Sequence, residues 1–527
     1  MFNSNVLTTR PSKVLSGIRI SRMATRPSFV IGFGLLLVAI SLTTGRFAYL
    51  LIALVVVVMT MLLAGSAFTA GVFWILGLST ITGFFQRLIL YKTGQSSPSD
   101  YVRFALEISI SLYLILIAVR RLKRSGITSR IHVKWLDVVV SLYLLLSTIY
   151  VFNLFYVEQL LITIYGWRWV CIPIFMYYIG RTIGSKPGVM DRINKYIIVL
   201  LLLQAGYGAY QAVVGYPDFE QPWINQRAAM QRYASVEDSM FIAGKARIPA
   251  LTEGHTSSGF LIPVLFLWLL YLPGNLLSKR WRFVRRLALI CGLLFLIFSN
   301  ERSAVGMVAI GIGTVFFLRS RKKLGFGVFL VAVPALVLFI FMASQIDPSK
   351  IPWSEDTIVL RRLLELLNPF KSGTLAGRIN VYWPVYWRFF LANPLGYGVG
   401  SFHATSATQT SEWGRSPHNM YLQVLLETGV IGLFIFIAVL AFYFKYLYNY
   451  NKMRLDVDQR TVVYSSAAMY IAFLAIGMAN QPIETFPLAI HFWFLMGLVT
   501  SYIAKKVAER RRDFVELTVG QAGESLV

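Results

Sequence analysis

Residues 419–444 read NMYLQVLLETGVIGLFIFIAVLAFYF, a run with one charged side chain, Glu427. At about 1.5 Å per residue such a helix extends about 39 Å, past the roughly 30 Å hydrocarbon core of a bilayer. Comparable apolar runs lie near residues 29–43, 47–64, 67–85, 104–119, 136–157, 160–179, 194–214, 256–272, 287–298, 303–318, 325–343, 462–479 and 486–504. The chain is 56% hydrophobic and only 14% charged, with a mean hydropathy of +0.62. One water-soluble globule cannot hide that much apolar surface. The expected fold is all-α: a polytopic integral membrane helical bundle of about 12–14 transmembrane helices with two long extracytoplasmic loops.

The formal charge of +26, from 50 Lys and Arg against 24 Asp and Glu, would point to nucleic acid in a soluble protein. Its distribution points elsewhere. Basic clusters occur at Arg10–Arg26, Arg120–Arg124, Lys279–Arg286, Arg319–Lys323 and Lys505–Arg512. A count of about fourteen spans puts all of them on one face, which the positive-inside rule makes cytoplasmic. Both termini are then expected in the cytoplasm, and the clusters are expected to meet anionic membrane lipid, not nucleic acid. The basic start followed by an apolar run is read as an uncleaved first helix, since no small-residue cleavage site follows Thr44 and another apolar run begins at once. Cys171 and Cys291 lie far apart in sequence, in predicted spans, and are read as packing residues.

Two long connections fall on the opposite, outer face, at 215–255 and 344–418. Long loops with structure of their own tend to be functional. The first carries Arg247. The second carries an amphipathic stretch from Arg361 to Leu367 and an aromatic stretch from Arg378 to Leu391. Interrupted by Pro384, the aromatic stretch is expected at the membrane interface, where Trp and Tyr settle. Its alternative use is as a stacking platform for sugar faces.

Four residues reach the outer face by this topology: Arg247, Arg302 in the short turn Ser299–Ser303, Arg378, and His418 at the mouth of the 419–444 helix. A guanidinium held near the hydrocarbon boundary is costly and needs a partner. Arg302 could pair with Glu301 or reach a lipid phosphate, and Arg247 and Arg378 could be ordinary loop arginines. His418 could be a helix-terminus residue without chemical duty, with Asn419 or Ser416 acting as cap. Arg168 and Glu427 are intramembrane charges, and Glu427 is expected to pair with an arginine and fix its helix. No acidic pair on the outer loops has metal-ligand spacing, so no metal and no cofactor is expected. The glycines Gly396, Gly398 and Gly400 follow no strand and do not form a nucleotide loop.

His418-Asn419, then Gly429 and Gly432, together with Phe298–Ser303 and the run from Gly377-Arg378 to Asn393–Gly398, resemble the landmarks of the O-antigen ligase and polymerase superfamily of bacterial polytopic membrane glycosyltransferases. The resemblance covers about residues 298–432. It implies a metal-independent enzyme of the bacterial plasma (inner) membrane that takes a glycan from an undecaprenyl diphosphate-linked donor on the outer face. The acceptor would be a glycan or lipid-linked molecule, and a polysaccharide flippase and a chain-length regulator are implied partners. On this reading His418 is the general base, Arg302, Arg378 and Arg247 bind the diphosphate, and Asn419 and Glu427 are accessory. Polymerase, ligase and protein oligosaccharyltransferase share donor and motif, with a slight lean to polymerase. The expected organisation is a basic cytoplasmic segment (1–28), an N-terminal membrane region (29–214), the first outer loop (215–255), the ligase/polymerase-like domain (256–504, including the loop 344–418) and a basic cytoplasmic tail (505–527). The alternative is a transporter or flippase for a lipid-linked or anionic substrate, which would show inverted repeats and midplane polar residues.

Overall fold

The computed structural model describes residues 55–63, 68–94, 99–125, 134–152, 160–231, 241–242, 245–272, 277–299, 301–319, 351, 364, 377–402, 416–453 and 455–524. The apolar runs 29–43 and 325–343, the amphipathic stretch after Arg361 apart from Leu364, and most of the loop 344–418 lie outside these residues.

The described chain is helical apart from one short hairpin. After helical residues 55–63 come α1 (Phe68–Thr93), α2 (Ser99–Ser125), α3 (Trp135–Ile149), α4 (Leu160–Ile183) and α5 (Val189–Val213). A surface segment follows, with a 3-10 turn (Asp218–Glu220), α6 (Gln221–Gln231) and the two-residue antiparallel strands β1 (Phe241–Ile242) and β2 (Lys245–Ala246). Then come α7 (His255–Leu270), α8 (Lys279–Phe298), α9 (Arg302–Arg319), α10 (Trp383–Ala392), α11 (Met420–Asn451), α12 (Val457–Gly477) and α13 (Phe486–Glu524). Among the described residues eight helices are long and apolar enough to cross a membrane. Each apolar run inside the described residues coincides with a helix. The run predicted for 136–157 is shorter in its α-helical part, because α3 ends at Ile149 in a 3-10 turn.

The helix α13 is central: its membrane window is wholly buried. It packs along α4 at a distance set by glycine. A Cβ on Gly180 would lie 2.2 Å from the Phe494 carbonyl oxygen, and one on Gly497 2.0 Å from that of Tyr177. Among helices in lipid, van der Waals contact replaces water expulsion as the driving force, so small residues that let backbones approach are selected at such crossings. Around this pair, α5 packs on α8, α9 on α12 and α3 on α11. Apolar side chains that the bundle leaves exposed, such as Phe434 and Ile431 on α11, form the lipid-facing surface.

The segment between α5 and α7 is pinned to the bundle by a buried arginine. Arg87 of α1 is fully buried, with Nε 2.7 Å from Oε1 of Glu220. Its two terminal nitrogens donate to the carbonyls of Thr252, at 2.7 Å, and Ala250. Gln211 donates to the other Glu220 oxygen at 2.7 Å and accepts from the Ala250 amide. Gly83 leaves room for the loop: a Cβ there would lie 2.1 Å from the Thr252 carbonyl. Burying a charge in apolar surroundings is tolerable only when it is paired and hydrogen-bonded. Replacing Arg87 by Met is therefore expected to cost about 3–5 kcal/mol by leaving Glu220 ionised and buried. The Arg87→Met/Glu220→Gln double variant should recover part of the loss, both read as thermal unfolding midpoints in detergent.

Candidate functional site at one end of the bundle

The helices α9 and α12 are in direct contact and run antiparallel, since Arg319 at the end of α9 lies beside Arg460 and Tyr464 in the first half of α12. The N-terminus of α9, where Arg302 stands, and the turn that follows α12 thus lie at the same end of the bundle. Two polar clusters are built there.

In the first, the segment after β2 brings Arg247 to the N-terminus of α7. Its Nη1 lies 3.0 Å from Nε2 of His255 and 3.5 Å from Oε1 of Glu301, and Glu301 is 3.7 Å from the histidine. An arginine only donates, so His255 Nε2 accepts here and its proton sits on Nδ1. All three side chains are largely buried. Gly259 of α7 admits the Glu301 side chain: a Cβ at that position would come within 3.0 Å of it. The Arg247 Nε and Glu301 Oε1 atoms are buried without a hydrogen-bond partner. Arg302 follows directly on Glu301, half-buried at the first turn of α9.

The second cluster surrounds the turn 478–485 between α12 and α13. Arg378 donates from Nη1 to the Ala479 carbonyl. Ser416 donates to the side-chain oxygen of Gln481, and the Met420 amide donates to the Asn480 carbonyl at 3.0 Å. Three consecutive residues of one turn thus hold Arg378 on one side and the segment bearing His418 on the other. Trp383 adds a bond from its indole nitrogen to the Pro417 carbonyl at 3.0 Å. Arg378 begins a short π-helical turn that runs into α10. Along that helix Val381, Val385, Trp387 and Leu391 are exposed while Tyr386 is buried. This one-sided pattern fits an element lying along the interface.

His418 has φ +47°, a left-handed conformation uncommon outside glycine. Strained backbone of this kind persists where neighbours over-determine it, and here they do: the His418 amide donates to Ser416 Oγ at 3.3 Å. Asn419 is the N-cap of α11, accepting from the amides of Tyr421 and Leu422 at 3.0 Å each. Of the two candidate caps, Asn419 therefore starts the helix and Ser416 braces the residue before it.

Among the described residues the expected arginine partner of Glu427 is not found. Its Oε1 instead accepts from Gln423 at 3.0 Å and from the Phe402 amide at 3.3 Å. Its backbone carbonyl accepts from the Gly398 amide at 2.9 Å. Glu427 is a clamp on the turn 396–402, and the reason is backbone geometry. At Gly429 the helix breaks (φ 66°, ψ −170°), which leaves carbonyls near it free to accept from outside α11. The close approach of Gly396 and Gly429 requires both to lack a Cβ. Of the other charges, Arg168 pairs with Glu107 at 2.8 Å, as expected of an intramembrane charge. Cys171 is buried and Cys291 half-buried, both as free thiols. His132, His403, Arg227 and Arg232 lie outside the residues whose side chains are described.

Reading the sequence alone missed His255, the Arg247–Glu301 pairing and Glu484. Gln423 bridges Glu484 to Glu427, donating from the same nitrogen to both carboxylates. The available signal was the pattern of carboxylates in short turns at predicted span ends, Glu301 and Glu484, which the same boundary argument applied to Arg302 would have flagged. Among the described residues no group of three or more His, Cys, Asp or Glu could hold a metal ion.

Residues 287–437 match the family model described as O-antigen ligase. The matched segment takes in most of α8, all of α9 and α10, and α11 as far as residue 437. It contains Arg302, Arg378, His418, Asn419 and Glu427, while Arg247 and His255 lie outside it. The resemblance drawn from residues 298–432 is thereby borne out, and the chain is a multi-pass helical membrane protein of which somewhat more than a quarter matches the O-antigen ligase model. A search of curated proteins gives no match.

Burial, together with the nearby Glu427 carboxyl, raises the Glu484 carboxyl well above its usual range. A carboxyl whose folded-state pKa is raised binds its proton more tightly folded than unfolded. Its contribution to stability is complete below the ordinary carboxylate pKa and is lost as pH climbs toward the raised value. Glu484→Gln should therefore flatten the fall in thermal midpoint above about pH 4.3, a comparison made by melting both proteins in detergent across a pH series.

Proposed function

We propose that the protein is a bacterial inner-membrane glycosyltransferase of the O-antigen ligase and polymerase type, acting on undecaprenyl diphosphate-linked glycan at the outer face. The supporting observation is that the O-antigen ligase match spans Arg302, Arg378 and His418, all three at one end of the bundle. In the reaction the acceptor hydroxyl oxygen attacks the anomeric carbon of the donor sugar. The bond from that carbon to the diphosphate oxygen breaks, and undecaprenyl diphosphate leaves with the electron pair. The acceptor's proton goes to His418, whose imidazole has an intrinsic pKa suited to accepting a proton near neutrality.

Negative charge grows on the diphosphate as the bond breaks. Arginine forks answer that growth by bidentate hydrogen bonding, so Arg302 and Arg378 are assigned to the leaving group. Arg247 is assigned to the same head group from the neighbouring cluster, oriented by Glu301. Asn419 and Glu427 serve by position: one starts the helix behind His418, the other fixes the turn 396–402. The reaction needs no metal, because cationic side chains supply the charge stabilisation.

The left-handed backbone at 418 dictates the choice of variant. Asparagine tolerates φ above zero better than alanine and is not a base at neutral pH. His418→Asn is expected to lower the transfer rate about 10²- to 10⁴-fold with expression and thermal midpoint close to wild type. Arg302→Lys, which keeps the charge and loses the fork, should retain only a fraction of the activity. Full activity in both variants at normal expression would remove these residues from the mechanism.

Acceptor choice is read by supplying purified protein in lipid with an undecaprenyl diphosphate-linked repeat unit, alone and then with lipid A core. A ladder from donor alone, the expected result, identifies a polymerase, and a single shifted product only with core identifies a ligase. No product in either arm, with substrate from the native strain, would contradict the enzyme reading.

A further inference from the structure

At the opposite end of the bundle the structure holds a cavity of about 520 Å³. Arg285 of α8, Arg319 at the end of α9 and Arg460 in the first turn of α12 line it, together with Tyr271, Thr461 and Tyr464. The guanidinium of Arg319 lies between two rings, 5.5 Å from the Tyr271 centroid and 5.0 Å from that of Tyr464. Arg285 donates from Nη1 to the Leu272 carbonyl, and its Nε is buried without a hydrogen-bond partner among the described residues. Arg460 makes one long bond, 3.3 Å, to the Leu455 carbonyl.

Among the described residues no carboxylate lines this cavity and none of the three arginines is in an ion pair. The nearest acids in sequence are accounted for otherwise or point elsewhere. Asp456 caps α12, accepting from the Gln459 amide at 2.8 Å, and Asp458 is not among the lining residues. Three guanidinium groups from three helices around one opening repel one another unless an anion stands between them. Their forks match phosphate oxygens, and the tyrosine and threonine hydroxyls can complete the shell. The remaining walls include Leu270, Leu272 and Val457, which suit a ligand with an apolar part.

We propose that this cavity is a binding site for a phosphate-bearing anion. Its apolar wall and its place between helix ends suit the headgroup of an anionic lipid. Basic pockets between the cytoplasmic ends of membrane helices bind such headgroups, and the basic clusters Lys279–Arg286 and Arg319–Lys323 mark this end as the cytoplasmic one. The ligand would tie together α9 and α12, the two helices whose other ends carry Arg302 and the turn that holds Arg378 and the His418 segment. The proposal rests on the geometry of this cavity and is independent of the reaction assigned to the outer end.

The test uses the purified full chain in neutral detergent and follows the thermal midpoint as dioleoyl-phosphatidylglycerol, dioleoyl-phosphatidylcholine or inorganic diphosphate is added. A saturating rise with phosphatidylglycerol but not phosphatidylcholine is expected, and it identifies a lipid headgroup. A rise with diphosphate alone would support the site with a free phosphorylated ligand instead. Arg319→Gln/Arg460→Gln should raise the half-saturating concentration at least about tenfold, the loss expected for two charge-assisted contacts. Both side chains are exposed, so folding is expected to survive, and Arg460→Gln alone gives a smaller shift if the pair does not. Arg282→Gln, an exposed arginine of α8 that does not line the cavity, is the control and should bind as wild type does. The proposal is overturned by a midpoint that no anion moves, by equal shifts in the cavity variants and wild type, or by equal weakening in the control.

Discussion

A charge drawn out of water at the edge of an apolar bundle must find a partner, and that requirement organises the whole end of this protein at which the candidate site lies. A single uncompensated ion there costs several kcal/mol, a large part of what keeps a membrane bundle folded. Arg87 meets Glu220, Arg103 meets Glu107 and Glu253, and Arg247 meets Glu301. In the first two cases a helix residue is joined to a residue of the segment between α5 and α7, and in the third that segment is joined to the start of α9. Arg103 is further covered by the rings of Trp169, 3.2 Å from its guanidinium carbon, and Phe486 at 4.4 Å. That segment is thus held in register with α1, α2, α7 and α9, and the residues proposed for catalysis inherit fixed positions from it.

Backbone exceptions do the same work on the other side. The break at Gly429 interrupts the helix one turn before Gly432 and turns its carbonyls toward the segment 394–398. Tyr397 and Gly398 donate to the Leu426 and Glu427 carbonyls, and Val430 donates to Pro394. A helix that would otherwise satisfy itself becomes an edge on which a loop docks, a device tolerated at membrane depth only where protein covers it. Here α10 and an aromatic cluster of Tyr386, Tyr397 and Phe402 provide that cover.

The helices were legible because a spanning segment is written in consecutive residues: length and hydropathy suffice, and each described run became a helix. That Arg247, Arg302, Arg378 and His418 would gather at one end of the bundle followed from counting spans. Their partners did not, since a pair such as Arg87 and Glu220 depends on how α1 packs against a distant loop, and no local pattern encodes it. Glu427 shows the limit most clearly. Its burial and its position in the motif were readable, but its partner was expected to be an arginine, because the sequence alone does not reveal that Gly429 breaks the helix and opens it to neutral amide donors. The left-handed backbone of His418 was equally hidden, being imposed by Ser416 and the turn 479–481.

The most direct test of the account separates holding the donor from transferring it. Equilibrium binding of undecaprenyl diphosphate to purified wild-type protein, Arg302→Ala and His418→Asn would do so. The account predicts that the arginine variant binds at least about tenfold more weakly, as loss of a charge-assisted fork implies, while the histidine variant binds as wild type does and fails only in transfer. Unchanged binding in Arg302→Ala, or binding lost in His418→Asn, would contradict the roles assigned to these two residues.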